Sequence, residues 1–263
     1  MRIVVLMKPV PDPAAGAERL GPDQRLDRGA APAVVNGNDE YALEAALQLA
    51  ETHGGEVVIL AMAPANATET MRKALAMGAL RGILVTDPAL AGADLPTTIR
   101  VLAAAIAAAP EPFDLILAGF DTSDGNGGAV AAGIAARLGL PLCSAAARIE
   151  PDPAAGRVRV RRLSARGYDQ LEAPMPAVIS CTQALGTPRY PSLKGIMAAR
   201  SREIAVRGLA DLGDGLAPAD GAWATTVLAA APPPVRAAGR VVTSAPADAA
   251  REIADFLADR RLI

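Results

Sequence analysis

The chain has 263 residues, enough for one large α/β domain or for a medium domain with an appendage. Its 26 basic and 28 acidic residues give a formal charge of −2, which argues against a nucleic-acid partner and against a polybasic membrane anchor. Hydrophobic residues make up 51% of the chain but aromatic residues only 3%, so we expect a core of Ala, Val, Leu and Ile.

The cysteines and the N-terminal residues favour a cytoplasmic protein. Cys143 and Cys181 lack metal-ligand spacing and lie too far apart in sequence to suggest a disulfide framework. The start "MRIVVLMKPVPDP" does not resemble a secretory signal, and no apolar run reaches membrane-spanning length. We therefore expect no direct insertion into a membrane.

Short Val/Ile/Leu runs alternate with longer Ala-rich stretches from the N-terminus to about residue 141. This pattern is typical of buried parallel strands joined by crossover helices. It predicts strands at 2–7, 56–62, 82–86, 114–119 and 177–180, and helices at 39–54, 66–79, 95–110 and 128–141. The order predicts a doubly wound, mostly parallel α/β sheet of the Rossmann-like, adenine-nucleotide-binding type.

The pattern changes after Pro141. Residues 147–173 predict two half-exposed antiparallel strands around a "DPAAG" turn, which would give the sheet a mixed edge. From about residue 186 the chain is rich in Pro and Ala, and a helix is predicted within 247–263. We therefore assign residues 1–185 to a nucleotide-binding α/β domain. Residues 186–263 are predicted to form a recognition loop and an arm that packs on its own domain or on a partner.

The stretch "GFDTSDGNGGAV", residues 119–130, is the main candidate site. It leaves the carboxyl end of a predicted strand and enters a helix, which is where open α/β sheets bind ligands. Gly125, Gly127 and Gly128 would let backbone N–H groups approach a phosphate, whereas Asp124 would repel it and so fix the loop or meet a ribose hydroxyl. An ordinary glycine turn is the alternative. The single histidine, His53, is at a helix end, where capping is the simpler role.

Several segments resemble the β subunits of electron-transfer flavoproteins. They include "RIVVLMKPVPD", "NGNDEYALEAAL", "ETMRKALAMGA", "DTSDGNGGAV" and, most specifically, "PRYPSLKGIMAAR" at 188–200. The resemblance spans nearly the whole chain. It implies a heterodimer in which an α subunit carries the redox-active FAD and this chain holds AMP, or a second FAD in electron-bifurcating members.

The resemblance also implies a nucleotide pocket made by residues from four segments. These residues are Leu6, Asn36, Gly37, Asn38, Asp39, Met62, Gly119, Phe120, Asp121, Thr122, Ser123, Asp124, Gly125, Asn126, Gly127, Gly128, Ala129 and Val130. Asn36 and Asp39 suit an adenine edge or a ribose, and the glycine loop suits the phosphate. As alternatives, Asn36 and Asp39 could cap a helix, and Met62 could fill the core.

The chain departs from the commoner family pattern in this pocket and at a position close to the flavin. The usual D-G-D-T motif, with a Gln two positions after the Thr, is replaced by residues 124–129 with the sequence "DGNGGA", so a hydroxyl and an amide are missing. Backbone donors must then do more of the binding. Pro13 stands where some relatives place a tyrosine close to the flavin, which removes an aromatic contact.

The segment "YPSLKGIM" resembles the loop with which the family recognises partner dehydrogenases. The inserted anchor would be Leu193, on a mobile support, with Tyr190, Pro191, Ile196 and Met197 around it. The alternative is that Leu193 packs against the protein's own surface. The resemblance implies that the chain is a subunit of an electron carrier and not an enzyme. This carrier would accept electrons from acyl-CoA dehydrogenases or similar flavoenzymes and pass them to a membrane quinone oxidoreductase.

Two other functions stay open at this point. In a bifurcating complex this chain would carry its own FAD and oxidise NADH. In a stand-alone nucleotide-binding protein of the universal-stress type it would form a homodimer without a flavoprotein partner.

Overall fold

Apolar runs form the central strands of this computed structural model, which describes residues 1–16, 19–217, 223–231, 234–235 and 239–263. In this part of the chain the strands are β1 Arg2–Leu6, β2 Pro9–Pro11, β3 Ala33–Val35, β4 Glu56–Met62, β5 Arg81–Val85, β6 Leu115–Gly119, β7 Leu142–Asp152, β8 Arg157–Ser164, β9 Gly167–Pro174, β10 Ala177–Cys181 and β11 Ile204–Arg207. The helices are α1 Gly37–His53, α2 Thr68–Met77, α3 Leu95–Ala107, α4 Val130–Leu138, α5 Leu193–Ala199 and α6 Pro246–Asp259.

In the described residues the main sheet has nine strands, in the order β11-β5-β4-β1-β6-β10-β7-β8-β9. Every pair from β11 to β7 is parallel, and β7–β8 and β8–β9 are antiparallel. The predicted doubly wound α/β fold with a mixed edge is therefore confirmed.

The central strands are buried on both faces because helices cover both sides of the sheet. Ile3 and Val5 of β1 pack into one apolar cluster with residues of α1 and α2. Val4 and Leu6, which point the other way, pack into a second cluster with residues of α3 and α4. The near-continuous apolar runs of the sequence follow directly from this two-sided burial.

The structure differs from the sequence prediction at both edges of the sheet. The predicted second strand of the hairpin is in fact two strands, β8 and β9, because the chain reverses again at Ala165–Arg166 before Gly167, whose φ is +122°. That turn lacks the Asn-Gly or Asp-Gly signal of a two-residue hairpin. The other edge strand, β11, was not predicted and pairs with β5.

Contacts divide the chain into a first unit, Met1–Val227, and a second unit, Leu228–Ile263. The second unit contains the predicted terminal helix as α6, in which no residue is buried. Assignment of 186–263 to partner contact stays a prediction. In the described residues no helix combines the length and the apolar character needed to cross a membrane.

Candidate functional site

The candidate site lies at the carboxyl edge of the sheet, where β1 and β6 are neighbours. From β1 the chain proceeds through α1 to β4 on one side, and β6 lies on the other side. This is the topological switch point, where open α/β sheets have a ligand crevice. The N-terminus of α1, the residues after β1 and the loop 120–129 after β6 meet here.

Asp39, in the first turn of α1, joins the ends of the two strands. Its carboxylate accepts hydrogen bonds from Lys8 N at 2.8 Å and from Gly119 N at 3.2 Å, and the residue is only 5% exposed. Burial raises the pKa of Asp39 to about 7, although these hydrogen bonds and the charge of Lys8 oppose the rise. Asp39 therefore fixes the geometry of the crevice.

The raised pKa of Asp39 predicts a pH dependence of folding stability. Its ordinary value is 3.8, so between about pH 4 and 7 the folded protein keeps a proton that the unfolded chain has lost. The free energy of unfolding should therefore fall as the pH rises through this window, by roughly 2–4 kcal/mol, and level off above it. Urea denaturation at several pH values, with Asp39→Asn as the control that lacks this ionisation, would measure the fall. Parallel profiles for the two proteins would contradict it.

Asn36 and Asn38 hold the start of the loop that follows β6. The Asn36 amide donates to Asp121 O at 2.9 Å and its oxygen accepts from Ser123 N at 3.2 Å. The Asn38 amide donates to the Asp121 carboxylate. Asn36 makes no side-chain capping bond to α1, and the Asp39 carboxylate is engaged by the two strand ends. The alternative that these side chains serve only as helix caps is therefore wrong.

The glycine loop presents a row of backbone donors. Asn126 and Gly128 have φ of +45° and +57°, a conformation that suits a tight loop. Among the described residues, the N–H groups from Gly127 to Ala132 have no hydrogen-bond acceptor. The N-cap of α4 is Ala129, whose methyl side chain cannot accept a hydrogen bond from the helix. These donors and the helix dipole form an arrangement that suits a phosphate.

The loop is also fixed by a charged cluster that the sequence analysis did not identify. The Asp124 side chain has 0% exposure and pairs with Lys8 Nζ at 2.8 Å and with an Arg28 Nη at 2.6 Å. Burial by itself would raise the pKa of Asp124, but Lys8 and Arg28 outweigh it and hold that pKa below its ordinary value. Asp124 thus fixes the loop, which was one of the two roles expected for it.

The apolar candidates are partly in the core. Leu6 is 6% exposed and packs in the cluster with α3 and α4, so its side chain belongs to the core. Met62 is half-buried against the same cluster, in keeping with the core-filling alternative. Phe120, by contrast, is 44% exposed at the start of the loop.

A second candidate surface is formed by the segment around α5. The N-cap Ser192 accepts a hydrogen bond from Gly195 N at 3.0 Å and so starts the helix. Large apolar side chains are exposed here: Tyr190 by 94%, Leu193 by 75%, Ile196 by 45% and Met197 by 64%. Pro191 is half-buried between them. The alternative that Leu193 packs on the protein's own surface is therefore wrong.

Helix α5 is fastened to α2, unlike the mobile support expected from the sequence. Arg72 of α2 donates to Ala199 O at the end of α5 at 2.6 Å, and Arg202 donates to Leu75 O near the end of α2 at 2.5 Å. The C-terminus of α5 is thus capped by an arginine of α2, and the C-terminus of α2 by Arg202, which lies three residues after α5. A Cβ on Gly195 would overlap Ala76 O, so only glycine permits this approach.

Arg189 anchors the same segment to α1. Its guanidinium binds Glu44 at 2.8 and 3.0 Å and Glu51 at 2.6 and 3.1 Å, and its backbone N–H also donates to Glu44 at 3.1 Å. The hydrogen bonds that Arg189 donates to Glu51 and Glu44 raise its pKa above the ordinary value. The Glu44 side chain is only 8% exposed, so this ion pair is largely shielded from water.

Replacement of Arg189 by glutamine should destabilise the first unit by about 1–3 kcal/mol, because it leaves the shielded Glu44 carboxylate without its bidentate partner. Urea denaturation would measure the loss. Arg148→Gln is the matched control, since Arg148 pairs with Glu150 on the surface at 67% and 46% exposure and should change stability by less than about 1 kcal/mol. Equal effects of the two substitutions would contradict the anchoring role.

The described residues contain no cluster of His, Cys, Asp or Glu that could hold a metal ion. Cys143 and Cys181 are buried and unpaired, and burial raises the pKa of both thiols, so neither is an activated nucleophile.

Known proteins resemble this chain along most of its length. The electron transfer flavoprotein domain matches residues 25–212. The electron transfer flavoprotein subunit beta of Mycobacterium tuberculosis is 38% identical over 271 aligned residues, which cover 99% of each chain. Caffeyl-CoA reductase-Etf complex subunit CarD of Acetobacterium woodii is 35% identical over 248 residues, 92% of each chain. Protein FixA of Azorhizobium caulinodans is 37% identical over 218 residues, 81% of this chain and 77% of FixA. The chain therefore belongs to the electron transfer flavoprotein family, among its β subunits.

Proposed function

We propose that this chain is the β subunit of a heterodimeric electron carrier. In this proposal an α subunit holds the redox-active FAD, which supplies the electron-transfer chemistry when bound. The β subunit contributes an adenine-nucleotide site and a surface for partner proteins. Membership of a family of electron carriers supports this function, and it argues against the stand-alone stress-protein hypothesis.

The row of N–H groups from Gly127 to Ala132, which have no acceptor in the described part of the chain, is the observation that carries the nucleotide site. Its donors follow one another from the end of the loop after β6 into the first turn of α4, where the helix dipole adds positive potential. A Cβ on Gly127 would meet nothing within 4 Å, so the backbone there is open to a ligand. The missing Thr hydroxyl and Gln amide are thus replaced by main-chain donors, and we assign AMP to this chain.

The adenosine part of the nucleotide would lie along the N-terminus of α1. Gly37 and Asn38 lie in the first turn of α1, and the Asn38 amide reaches the Asp121 carboxylate of the loop after β6. Asn36 and Asp39 act by holding the loop and the strand ends in register. We propose that the ribose hydroxyls bind beside Asn38 and Asp121, whose side chains already pair with each other.

The exposed apolar segment around Leu193 supports the assignment of protein partners. Contiguous exposed apolar side chains on a fastened support are typical of an interaction surface. The partners we assign are acyl-CoA dehydrogenases or similar flavoenzymes as electron donors, and a membrane quinone oxidoreductase as the acceptor.

Co-expression with the α subunit, followed by counting FAD and AMP released from the denatured complex, would test this function. One FAD and one AMP per heterodimer is the expected result. One FAD without any nucleotide on this chain would show that residues 124–129 no longer form a nucleotide site.

A bifurcating complex is the second candidate, because a relative named as a subunit of a caffeyl-CoA reductase-Etf complex matches over 92% of the chain. It requires two FAD and no AMP per heterodimer, together with oxidation of NADH. The same count of cofactors therefore separates the two functions.

A further inference from the structure

The ion-pair cluster around Asp124 places two cations beside the glycine loop. Lys8 follows β1, Arg28 lies in the segment between β2 and β3, and Asp124 is three residues before Gly127. The carboxylate is completely shielded from water, whereas the Lys8 and Arg28 side chains keep 38% and 43% of their exposure. The negative group is thus buried beneath two positive groups that still face outwards.

Both cations have donors to spare. Lys8 Nζ uses one of its three N–H groups on Asp124, and Arg28 uses its guanidinium on Asp124 and, at 3.4 Å, on Pro9 O. Asp124 gives a different oxygen to each cation, so it fixes the separation between them. The remaining N–H groups suit the oxygens of a phosphate monoester, which accepts several charge-assisted hydrogen bonds at once.

We propose that Lys8 and Arg28 bind the phosphate of the nucleotide, and that Asp124 is the positioning residue that holds the two cations beside the glycine loop. The inference rests on the proposed nucleotide site and adds the groups that make it selective for a phosphorylated ligand. Asp124 then favours phosphate binding in spite of its own negative charge, because it orders two positive groups.

The sign of the Asp124→Asn effect distinguishes this role from simple repulsion. If Asp124 only repels the ligand, its neutralisation strengthens AMP binding. If it positions Lys8 and Arg28, its neutralisation frees both long side chains and weakens AMP binding. Adenosine lacks the phosphate, so its affinity should not change when any of the three residues is substituted. Unchanged adenosine binding therefore shows that the rest of the site is intact.

Calorimetric titration of the nucleotide-free complex with AMP and with adenosine would test the inference. Lys8→Gln and Arg28→Gln should each lower AMP affinity by about tenfold to a hundredfold, the loss expected for one hydrogen bond to a charged group. Asp124→Asn should also lower it. Adenosine affinity should stay within about twofold throughout. Arg148→Gln, which removes a surface cation outside the site, is the control and should leave both ligands unaffected.

Three results would overturn the inference in different ways. Unchanged AMP affinity in Lys8→Gln and Arg28→Gln would remove the cations from the site while leaving the nucleotide function intact. Tighter AMP binding by Asp124→Asn would show repulsion instead of positioning. Failure of the unsubstituted complex to bind either AMP or adenosine would refute the nucleotide site itself, and this inference with it. Thermal unfolding of each variant would show that it is folded, and the two cation variants carry the test if Asp124→Asn is not.

Discussion

Gly119→Ala should destabilise the first unit by about 1–3 kcal/mol and abolish nucleotide binding. A Cβ at this position would lie 2.8 Å from the backbone carbon of Asn38 and 2.9 Å from its Cβ, and would overlap the Asp39 carboxylate. Neither neighbour can withdraw easily, because Asp39 is held by Lys8 N and by Gly119 N itself. The N-terminus of α1 would have to move away from the end of β6, which would open the crevice.

Gly127→Ala is the matched control for this substitution. It lies in the loop that follows the same strand, a Cβ there would meet nothing within 4 Å, and its φ is not in the left-handed region. Urea denaturation should therefore show a stable Gly127→Ala protein and an unstable Gly119→Ala protein, and a count of bound AMP should show that Gly119→Ala is nucleotide-free. Equal stability of the two variants would mean that α1 and β6 can separate without cost.

The central elements could be predicted from the sequence because their signals are local. The predicted strand at 56–62 coincides with β4, and the helices α1, α2 and α4 lie within the predicted ranges or within two residues of them, each with a glycine as its C-cap: Gly54, Gly78 and Gly139. The edge strands could not be predicted in the same way. Strand β11 has only four residues, none of them fully buried, and it exists because β5 offers an edge to pair with. That pairing is a property of the tertiary structure.

The same limit applies to the candidate site. The glycine loop could be placed at the end of β6 from the strand, the loop composition and the following helix, all of which are contiguous in sequence. The residues that anchor the loop could not be predicted, because Lys8 and Arg28 are 116 and 96 residues from Asp124 in the sequence. Arg189 similarly reaches Glu44 across 145 residues. Each pairs with a carboxylate that carries no distinguishing local pattern, so only the folded chain reveals the partners.

Leu193→Ala should raise the KM for a partner dehydrogenase by about tenfold or more while leaving the flavin content of the complex unchanged. The side chain is 75% exposed at the start of α5 and contributes little to the protein's own core, so folding stability should change by less than about 0.5 kcal/mol. Burial of one leucine in a partner's pocket contributes roughly 1.5–3 kcal/mol to binding. The substitution therefore weakens the complex with the partner and leaves folding almost unchanged.

Because hydrogen bonds hold α5 in place, Leu193→Ala is a specific test of contact with the partner. The segment around α5 is joined to α2 by Arg72 and Arg202 and to α1 by Arg189. None of these contacts involves the Leu193 side chain. A rise in KM would therefore reflect a lost contact with the partner and not a displaced helix. Leu163→Ala on β8 removes another exposed leucine, at 43% exposure, and should leave KM unchanged. Steady-state kinetics at varied concentrations of the carrier would make the comparison. If both substitutions left KM unchanged, the partner would have to bind elsewhere on the molecule.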